Sequence, residues 1–505
     1  MLEGRRTFLL AALAGSAATC AAALDAYPFS LGVASGSPLP TSVILWTRIL
    51  VNPLDAASMK PVALPVRWEV AHDQAFRQVV ARGSAVAAPE LAHSVHVDVR
   101  GLAPGRWYWY RFMLGSAVSP VGRTRTAPAP GTLPATLRLA VASCQHWQFG
   151  SYAAHRHIAA SSPDLVAFLG DYIYEWGAFQ LDHPPRAVRA NESFTLEHYR
   201  ARYAQYKSDP DLQAAHLAAP WIVTWDDHEV ANDYAGERDE RLATDFPARR
   251  AAAYQAFYEH MPLRLPQTRM YQRYDWGQLA RFHVLDDRQY RSVEACSPPG
   301  RGGSTSVTPR ACAELRDPRR TMLGAAQESW LEDGLKSSGA RWNIFAQQTP
   351  MAQSSQVPVK GPDDGRFWTD GWDGYPAARA RLFDALVKSR AANPVILAGD
   401  VHTFYASELR ANYLKPGAPL AAEFCGTSVT SSSRPQARTD QIVGMNPHIQ
   451  YGRSDKRGYM LMEITPQTIT TQMMGLDDVR DAKTKVAALA TFKVAAGRAE
   501  IERTG

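Results

Sequence analysis

Four short, continuous apolar runs set the pattern of the chain: Leu137-Arg138-Leu139-Ala140-Val141-Ala142, Asp164-Leu165-Val166-Ala167-Phe168-Leu169, Trp221-Ile222-Val223-Thr224-Trp225 and Pro394-Val395-Ile396-Leu397-Ala398. Runs of this length, rich in branched and aromatic residues and without polar alternation, predict strands buried on both faces, as in a parallel sheet. Each run ends on polar residues at its carboxyl end. These are Ser143-Cys144-Gln145-His146, then Gly170-Asp171-Tyr172-Ile173-Tyr174, then Asp226-Asp227-His228-Glu229 with Asn232 and Asp233, then Gly399-Asp400-Val401-His402. That edge of an α/β sheet is where ligands collect. One such loop is unremarkable, because an Asp there caps the next element and a Tyr packs beside it. Four together point to a polynuclear metal site, with Asp171 and Tyr174 spaced to turn two oxygens toward one hard cation.

The flanking segments have other periods. Residues 27–130 read as all-β: His93 to Val99 alternates polar and apolar, Gly101-Leu102-Ala103-Pro104-Gly105 is a turn, and Trp107 to Phe112 is a second strand. His93 and His96 are expected on the solvent face. A tyrosine-corner arrangement near Tyr108 resembles a fibronectin type III sandwich. Nothing in this segment carries chemistry, so it is read as a packing or orienting module. Ala127-Pro128-Ala129-Pro130-Gly131 supplies the linker. After it, strands and helices alternate through residues 131–505. Helices are expected over Thr195 to Tyr203, Ala251 to His260 and Ala325 to Leu335, and strands at Arg281 to Leu285, Trp342 to Phe345 and Tyr459 to Ile464. Ala482 to Ala499, rich in Ala, Val and Leu around Phe492, reads as a C-terminal helix. No internal repeat is visible.

Residues 1–26 read as an export leader. Arg5-Arg6-Thr7-Phe8-Leu9-Leu10 with an Ala-rich stretch to Ala23 looks like a twin-arginine signal, too short to span a bilayer, with small residues at Ala21 and Ala23 for cleavage. Cys20 is a poor candidate for lipid attachment after Ala17-Ala18-Thr19, and simple removal of the leader is preferred. The mature chain then has no transmembrane segment and is expected in the periplasm or outside the cell, delivered by the twin-arginine translocation machinery. Composition changes little: 46% hydrophobic and 21% charged residues over 505 positions are ordinary globular values, enough for two or three domains. The net charge of +6 mildly favours anionic substrates, and no basic or aromatic track marks a dedicated nucleic-acid surface. Of five cysteines, Cys296 and Cys312 flank a Gly/Pro/Ser-rich loop and are candidates for a disulfide, while Cys425 reads as an inert buried thiol.

At the strand-end loops the chain resembles the PhoD-like alkaline phosphatases of the calcineurin-like metallophosphoesterase superfamily. Gly32-Val33-Ala34-Ser35-Gly36, Trp225-Asp226-Asp227-His228-Glu229 and Trp372-Asp373-Gly374-Tyr375-Pro376 also carry the match. The resemblance implies a four-layer αββα sandwich behind the fibronectin III-like domain, with the terminal helix near the active-site mouth. It implies ferric iron held by Cys144, Asp171 and Tyr174, with one or two calcium ions beside it. By the same analogy His402 completes the iron shell, Asp171 bridges, and Asp227, Asn232 and Asp400 supply oxygens to the harder ions. His228 is expected as general acid, and Arg288 as a guanidinium fork on two phosphoryl oxygens. Arg291 is expected as a solvated loop charge, and His146, Asp233 and Glu423 as residues that orient the ligands.

The implied activity is hydrolysis of small phosphate esters, both mono- and diesters, by hydroxide formed on the cations. Two other readings stand beside it. One is phospholipid head-group hydrolysis of the phospholipase D type. The other is a non-catalytic surface protein that binds phosphate or metal, which would have no need of His228 and Arg288 beside the metal loops.

Overall fold

The computed structural model describes residues 26–55, 58–188, 191–264, 269–415 and 417–505. The paired arginines Arg5 and Arg6, the proposed cleavage site and Cys20 lie outside them. Two large sheets dominate, one of ten strands and one of seven. At the centre of the first lie Leu137–Ala142, Leu165–Phe168 and Trp221–Val223, all parallel. The second is built on four parallel strands, Ala280–Val284, Trp342–Ala346, Pro394–Ala398 and Ala421–Cys425. Leu139, Val141, Leu165 and Ala167 meet Val284, Ile344, Leu397 and Phe424 in one core between the sheets. The alternate residues Ala140, Ala142, Val166 and Phe168 face the other way, under the helices Ala153–Ala160, Leu196–Lys207, Pro210–Ala218 and Phe246–His260. This double burial is why these strands show no polar alternation. Gly324–Lys336 and Pro376–Ser389 cover the outer face of the second sheet around Leu331, Phe383 and Ile396.

The N-terminal strands are joined to this scaffold edge to edge. Val33–Leu39 continues the ten-stranded sheet by pairing Gly36 with Trp221, and Ser42–Arg48 and Ser94–Arg100 extend it further. A five-stranded sheet including Leu64–Ala71 and Trp107–Leu114 packs on these strands around Val43, Val70, Val97 and Tyr110. The Tyr108 hydroxyl accepts from the Ala103 N–H at 2.8 Å, the back-bond of a tyrosine corner. Gly36 allows the seam to close: a Cβ there would sit 2.6 Å from the Pro262 carbonyl and 2.7 Å from that of Trp221. His93 and His96 do not face solvent as expected; their ring nitrogens lie 3.0 Å from the Val62 carbonyl and 2.8 Å from that of Met261.

The C-terminal expectation is corrected. The stretch from Ala482 contains no helix; Val486–Ala495 is a strand, antiparallel to Thr468–Leu476. Alanine content favours a helix, yet Ala490, Phe492 and Val494 alternate into the core between the sheets, a period of two that only a strand can satisfy. None of these residues lines the large cavity described below, so they pack the core and do not gate access. Cys296 and Cys312 are disulfide-bonded, whereas Cys144 and Cys425 are free and buried.

One buried cation ties the N-terminal strands to the loop after Phe168. Lys207, 1% exposed, ends the helix Leu196–Lys207 with its ammonium 4.1 Å from the Trp46 ring and 5.2 Å from that of Tyr172. It has no hydrogen-bond partner among the described residues, and burial pulls its pKa from 10.5 down to about 7. Between these values the unfolded chain holds a proton that the folded one has lost. Stability therefore rises with pH by about 1.4 kcal/mol per unit, and the gain disappears as pH falls toward 7. Lys207→Met lacks this slope. Urea denaturation is expected to find the variant more stable than the parent near pH 7, with the gap narrowing near pH 9; parallel pH profiles would contradict it.

Candidate metal centre

The four strand-end loops meet at one edge, and the backbone bends sharply to bring them there. Cys144, Asp171, Asp400 and His402 all adopt left-handed φ values, +61°, +57°, +62° and +54°. Non-glycine residues seldom do so, and runs of such conformations mark sites where surrounding structure holds strain in place. Gly170, at φ +106°, lets two loops touch: a Cβ there would lie 2.4 Å from the Asp226 Cβ. Glu229, 1% exposed, fastens them. Its carboxylate accepts the N–H groups of Asp171 at 3.0 Å, Tyr172 at 2.6 Å and Asp226 at 2.8 Å.

Donor atoms of Cys144, Asp171 and His402 lie within 4.8 Å of one another, and so do those of Asp171, Asp227 and His228. Asp171 belongs to both groups. The Tyr174 hydroxyl donates to Asp171 Oδ2 at 2.7 Å and lies 3.1 Å from His402 Nε2. His402 Nδ1 is 2.6 Å from the Ser432 carbonyl and must donate there, which leaves the Nε2 lone pair facing the group. Asp400 lines the same cavity, as does Asn232, whose amide donates to Glu240 at 2.6 Å. Oδ1 of Asp171, Oδ1 of Asp227 and Oδ2 of Asp400 are buried without a hydrogen-bond partner among the described residues. Burial, then the neighbouring Asp171, pushes the Cys144 thiol and the Tyr174 phenol well up; burial likewise raises the Asp171 carboxyl. Such a set resists ionisation until a cation stands among its members, and sulfur, phenol, imidazole and carboxylate together fit a metal cluster.

His228 stacks on Tyr174 at 4.1 Å, meets Trp176 edge-on at 4.3 Å and places Nδ1 2.8 Å from Glu175 Oε2. Burial opposes its charge, but Asp227, Glu175 and Asp171 outweigh burial and raise its pKa well above the ordinary value. His146 also borders the cavity, its ring 4.6 Å from that of Tyr174. Asp233 holds the Ser304 N–H at 3.1 Å, and Glu423 caps the N–H groups of Met351 and Ala352.

Two arginines depart from expectation. Arg288 is fully buried: Nε donates to Asp226, and the two terminal nitrogens donate to Asp370 at 2.7 and 2.9 Å. Its fork is spent on carboxylates behind the donor groups, and it does not line the cavity, so it is not placed to grip phosphoryl oxygens. Arg291 is equally buried and bonds Asp370 at 2.6 Å and Glu294 at 2.7 Å; it is no solvated loop charge. Asp370, Glu175 and Ser431 escaped the sequence reading, and Glu229 entered it only as part of the Asp226-Asp227-His228-Glu229 run, because their importance lies in contacts made across long separations. The Ser431 hydroxyl lies 2.7 Å from the Tyr174 oxygen and 2.9 Å from the Cys144 carbonyl. Its only trace in the sequence is the serine run from Ser431 to Ser433.

The model of the family described as PhoD-like phosphatase matches residues 139–473, and that of the PhoD-like phosphatase N-terminal domain matches residues 14–128. This chain belongs to the PhoD-like phosphatase family. It is 46% identical over 461 residues, 88% of its own length and 76% of the other's, to alkaline phosphatase D of Bacillus subtilis strain 168. The solved structure of PhoD superposes with a TM-score of 0.90 at 42% identity, covering 95% of this chain and 93% of that one. Purple acid phosphatase PPD1 of yellow lupin, Lupinus luteus, shares the fold at a TM-score of 0.58 and 12% identity, with 93% and 74% covered. Family membership makes the protein a metal-dependent hydrolase of phosphoric esters.

The buried pairs of Arg288 yield a prediction. Arg288→Met strands Asp226 and Asp370, so about 3–5 kcal/mol of stability is expected to be lost together with metal content, read by denaturation and elemental analysis. An intact, metal-loaded variant with only a raised KM would instead return Arg288 to the phosphate.

Proposed function

We propose that this protein is an exported alkaline phosphatase that cleaves both monoesters and diesters of small molecules, with ferric iron at Cys144, Asp171, Tyr174 and His402. One or two calcium ions stand beside it on Asp171, Asp227, Asn232 and Asp400. The observation that carries this reading is Asp171, shared by two donor groups on the wall of a cavity of about 710 Å³. Thiolate and phenolate favour a trivalent ion, and the oxygen set beside them suits calcium. Bound there, the cations would supply an acidified water and positive charge to set against the phosphoryl oxygens.

The chain's own residues do the rest. His402 is held in one tautomer by Ser432, so its free nitrogen is aimed before any ion arrives. His228, its Nδ1 2.8 Å from Glu175 and its ring against Tyr174 and Trp176, is placed to deliver a proton to the departing alcohol. Trp176, Phe179 and Phe149 give the cavity an apolar wall for the organic group. We read the two large sheets with their outer helices as the αββα sandwich of metallophosphoesterases, residues 131–505, and residues 27–130 as the fibronectin III-like domain. Residues 1–26 are the twin-arginine leader, which sends the folded chain to the periplasm or beyond. The disulfide supports an oxidising destination.

Chelation is expected to abolish turnover of p-nitrophenyl phosphate and bis-p-nitrophenyl phosphate, and Asp171→Ala to abolish it permanently; an unimpaired Asp171→Ala enzyme would sink the mechanism. The loaded protein should show a visible phenolate-to-iron band that Tyr174→Phe removes, and a colourless, iron-free, fully active protein would rule iron out. His228→Ala is expected to lower kcat about 10²–10⁴-fold for an alkyl phosphate and far less for p-nitrophenyl phosphate, whose leaving group needs no proton. Equal losses on both substrates would remove the acid role.

A further inference from the structure

The cavity reaches beyond the donor groups. A strap, residues 428–434, leaves the end of the strand Ala421–Cys425 and passes over the loop of Asp400 and His402 before the helix Gln436–Met445 begins. Three contacts pin it. Ser431 touches Tyr174, the Ser432 carbonyl takes the His402 proton, and the Ser433 hydroxyl lies 3.1 Å from that of Thr403. Arg434 is the next residue, and Arg438 lies one helical turn further on. Both are half-buried and both line the cavity.

These are the only lysine or arginine side chains of the cavity lining among the described residues, and neither takes part in an ion pair. The Arg438 guanidinium has a single neutral partner, the side-chain amide oxygen Oε1 of Gln441, at 3.1 Å. By contrast Arg288, Arg291 and Arg379 are matched with Asp226, Asp370, Glu294 and Asp373. The two carboxylates that share the far part of the cavity are already engaged. Glu423 accepts two backbone N–H groups, and Asp373 accepts Ser354 N–H and Arg379. Guanidinium forks bind phosphate and carboxylate in bidentate fashion, and a cavity of this size exceeds what one phosphoryl group fills.

We propose that Arg434 and Arg438 form a second anion subsite, so that the preferred substrates are phosphate esters whose organic group carries another phosphate or carboxylate at its far end. The inference rests on the proposed phosphatase reading of the same cavity. The phosphoryl group undergoing hydrolysis sits at the cations, the organic group spans the cavity past His402, and the distal anion meets the two guanidiniums. Both arginines are positioning residues and take no part in bond breaking.

Binding to the metal-loaded protein separates this idea from the phosphatase reading, because phosphonates are not hydrolysed. Titration calorimetry compares hexylphosphonate with α,ω-alkane bisphosphonates of graded chain length. At the best length the bisphosphonate is expected to bind about tenfold more tightly than hexylphosphonate, and the advantage should fall with added salt. In the double variant Arg434→Ala with Arg438→Ala the ratio should drop to about two, the statistical value for a ligand with two equal ends. Arg434→Lys should keep part of the preference. A wild-type ratio of about two at every length, or a preference that survives the double variant, would overturn the subsite. An equal loss of hexylphosphonate and bisphosphonate binding in the variants would overturn it too, since the arginines would then serve the reacting phosphoryl group. Hexyl phosphate that binds yet is never turned over would count against the phosphatase reading alone, with the phosphonate ratio still standing as measured.

Discussion

The structure depends on burying a surplus of negative charge at one sheet edge. Asp171, Asp226, Asp227, Asp370 and Asp400 all lie at or near this edge, four of them almost fully buried, with Cys144 and Glu229 among them. Carboxylates this close cannot all ionise in a low-dielectric interior without compensation. Compensation comes from two sides. From behind, Arg288 and Arg291 neutralise Asp226 and Asp370, and Arg288 reaches within 3.8 Å of Asp227. From the cavity side stands His228, whose pKa Asp227, Glu175 and Asp171 raise against the opposing effect of burial, and the remaining donor oxygens of Asp171, Asp227 and Asp400 await cations. The arginines keep the acidic wall assembled so that cations complete it.

The same constraint explains the backbone. Side chains from four separate loops converge only if the chain turns soon after each strand, and in three of those loops the left-handed residues Cys144, Asp171, Asp400 and His402 make that turn. Their conformations cost energy that the sheet core and Glu229 offset. Glu229 collects N–H groups from two loops that are distant in sequence, so its carboxylate serves as a clasp and not as a ligand. Hydrogen bonds from Glu175 and Ser432 then orient His228 and His402. Loss of any of these supports would loosen groups that must stand within a few ångströms of one another.

The N-terminal strands and the C-terminal strand brace this arrangement from the two ends of one sheet. Gly36 against Trp221 extends the sheet on one side, while Val486–Ala495 extends it beyond Thr468–Leu476 on the other. Lys207, resting on Trp46 and Tyr172, links the N-terminal strands to the segment that carries Asp171 and Tyr174. Through Lys207 the N-terminal strands are thus linked to the Tyr172 ring beside the metal loop.

The local pattern of residues by itself determined the buried central strands, their polar ends and the helices Leu196–Lys207, Phe246–His260 and Gly324–Lys336, three of the seven α-helices among the described residues. Strand burial on both faces writes a continuous apolar run, and nothing further along the chain changes it; Leu165–Phe168 and Pro394–Ala398 are read directly. The loops that bring Cys144, Asp171, Asp227 and His402 into shared groups were legible for the same reason, since each follows such a run. Only the tertiary structure decided matters that turn on partners far away in sequence. Composition favoured a helix around Phe492, but a free sheet edge and an apolar core accepted a strand there. Arg288 has the chemistry to bind phosphate, yet Asp370, 82 residues on, takes its fork. A charged side chain carries no mark of which opposite charge will reach it first, because that depends on how distant loops close in space.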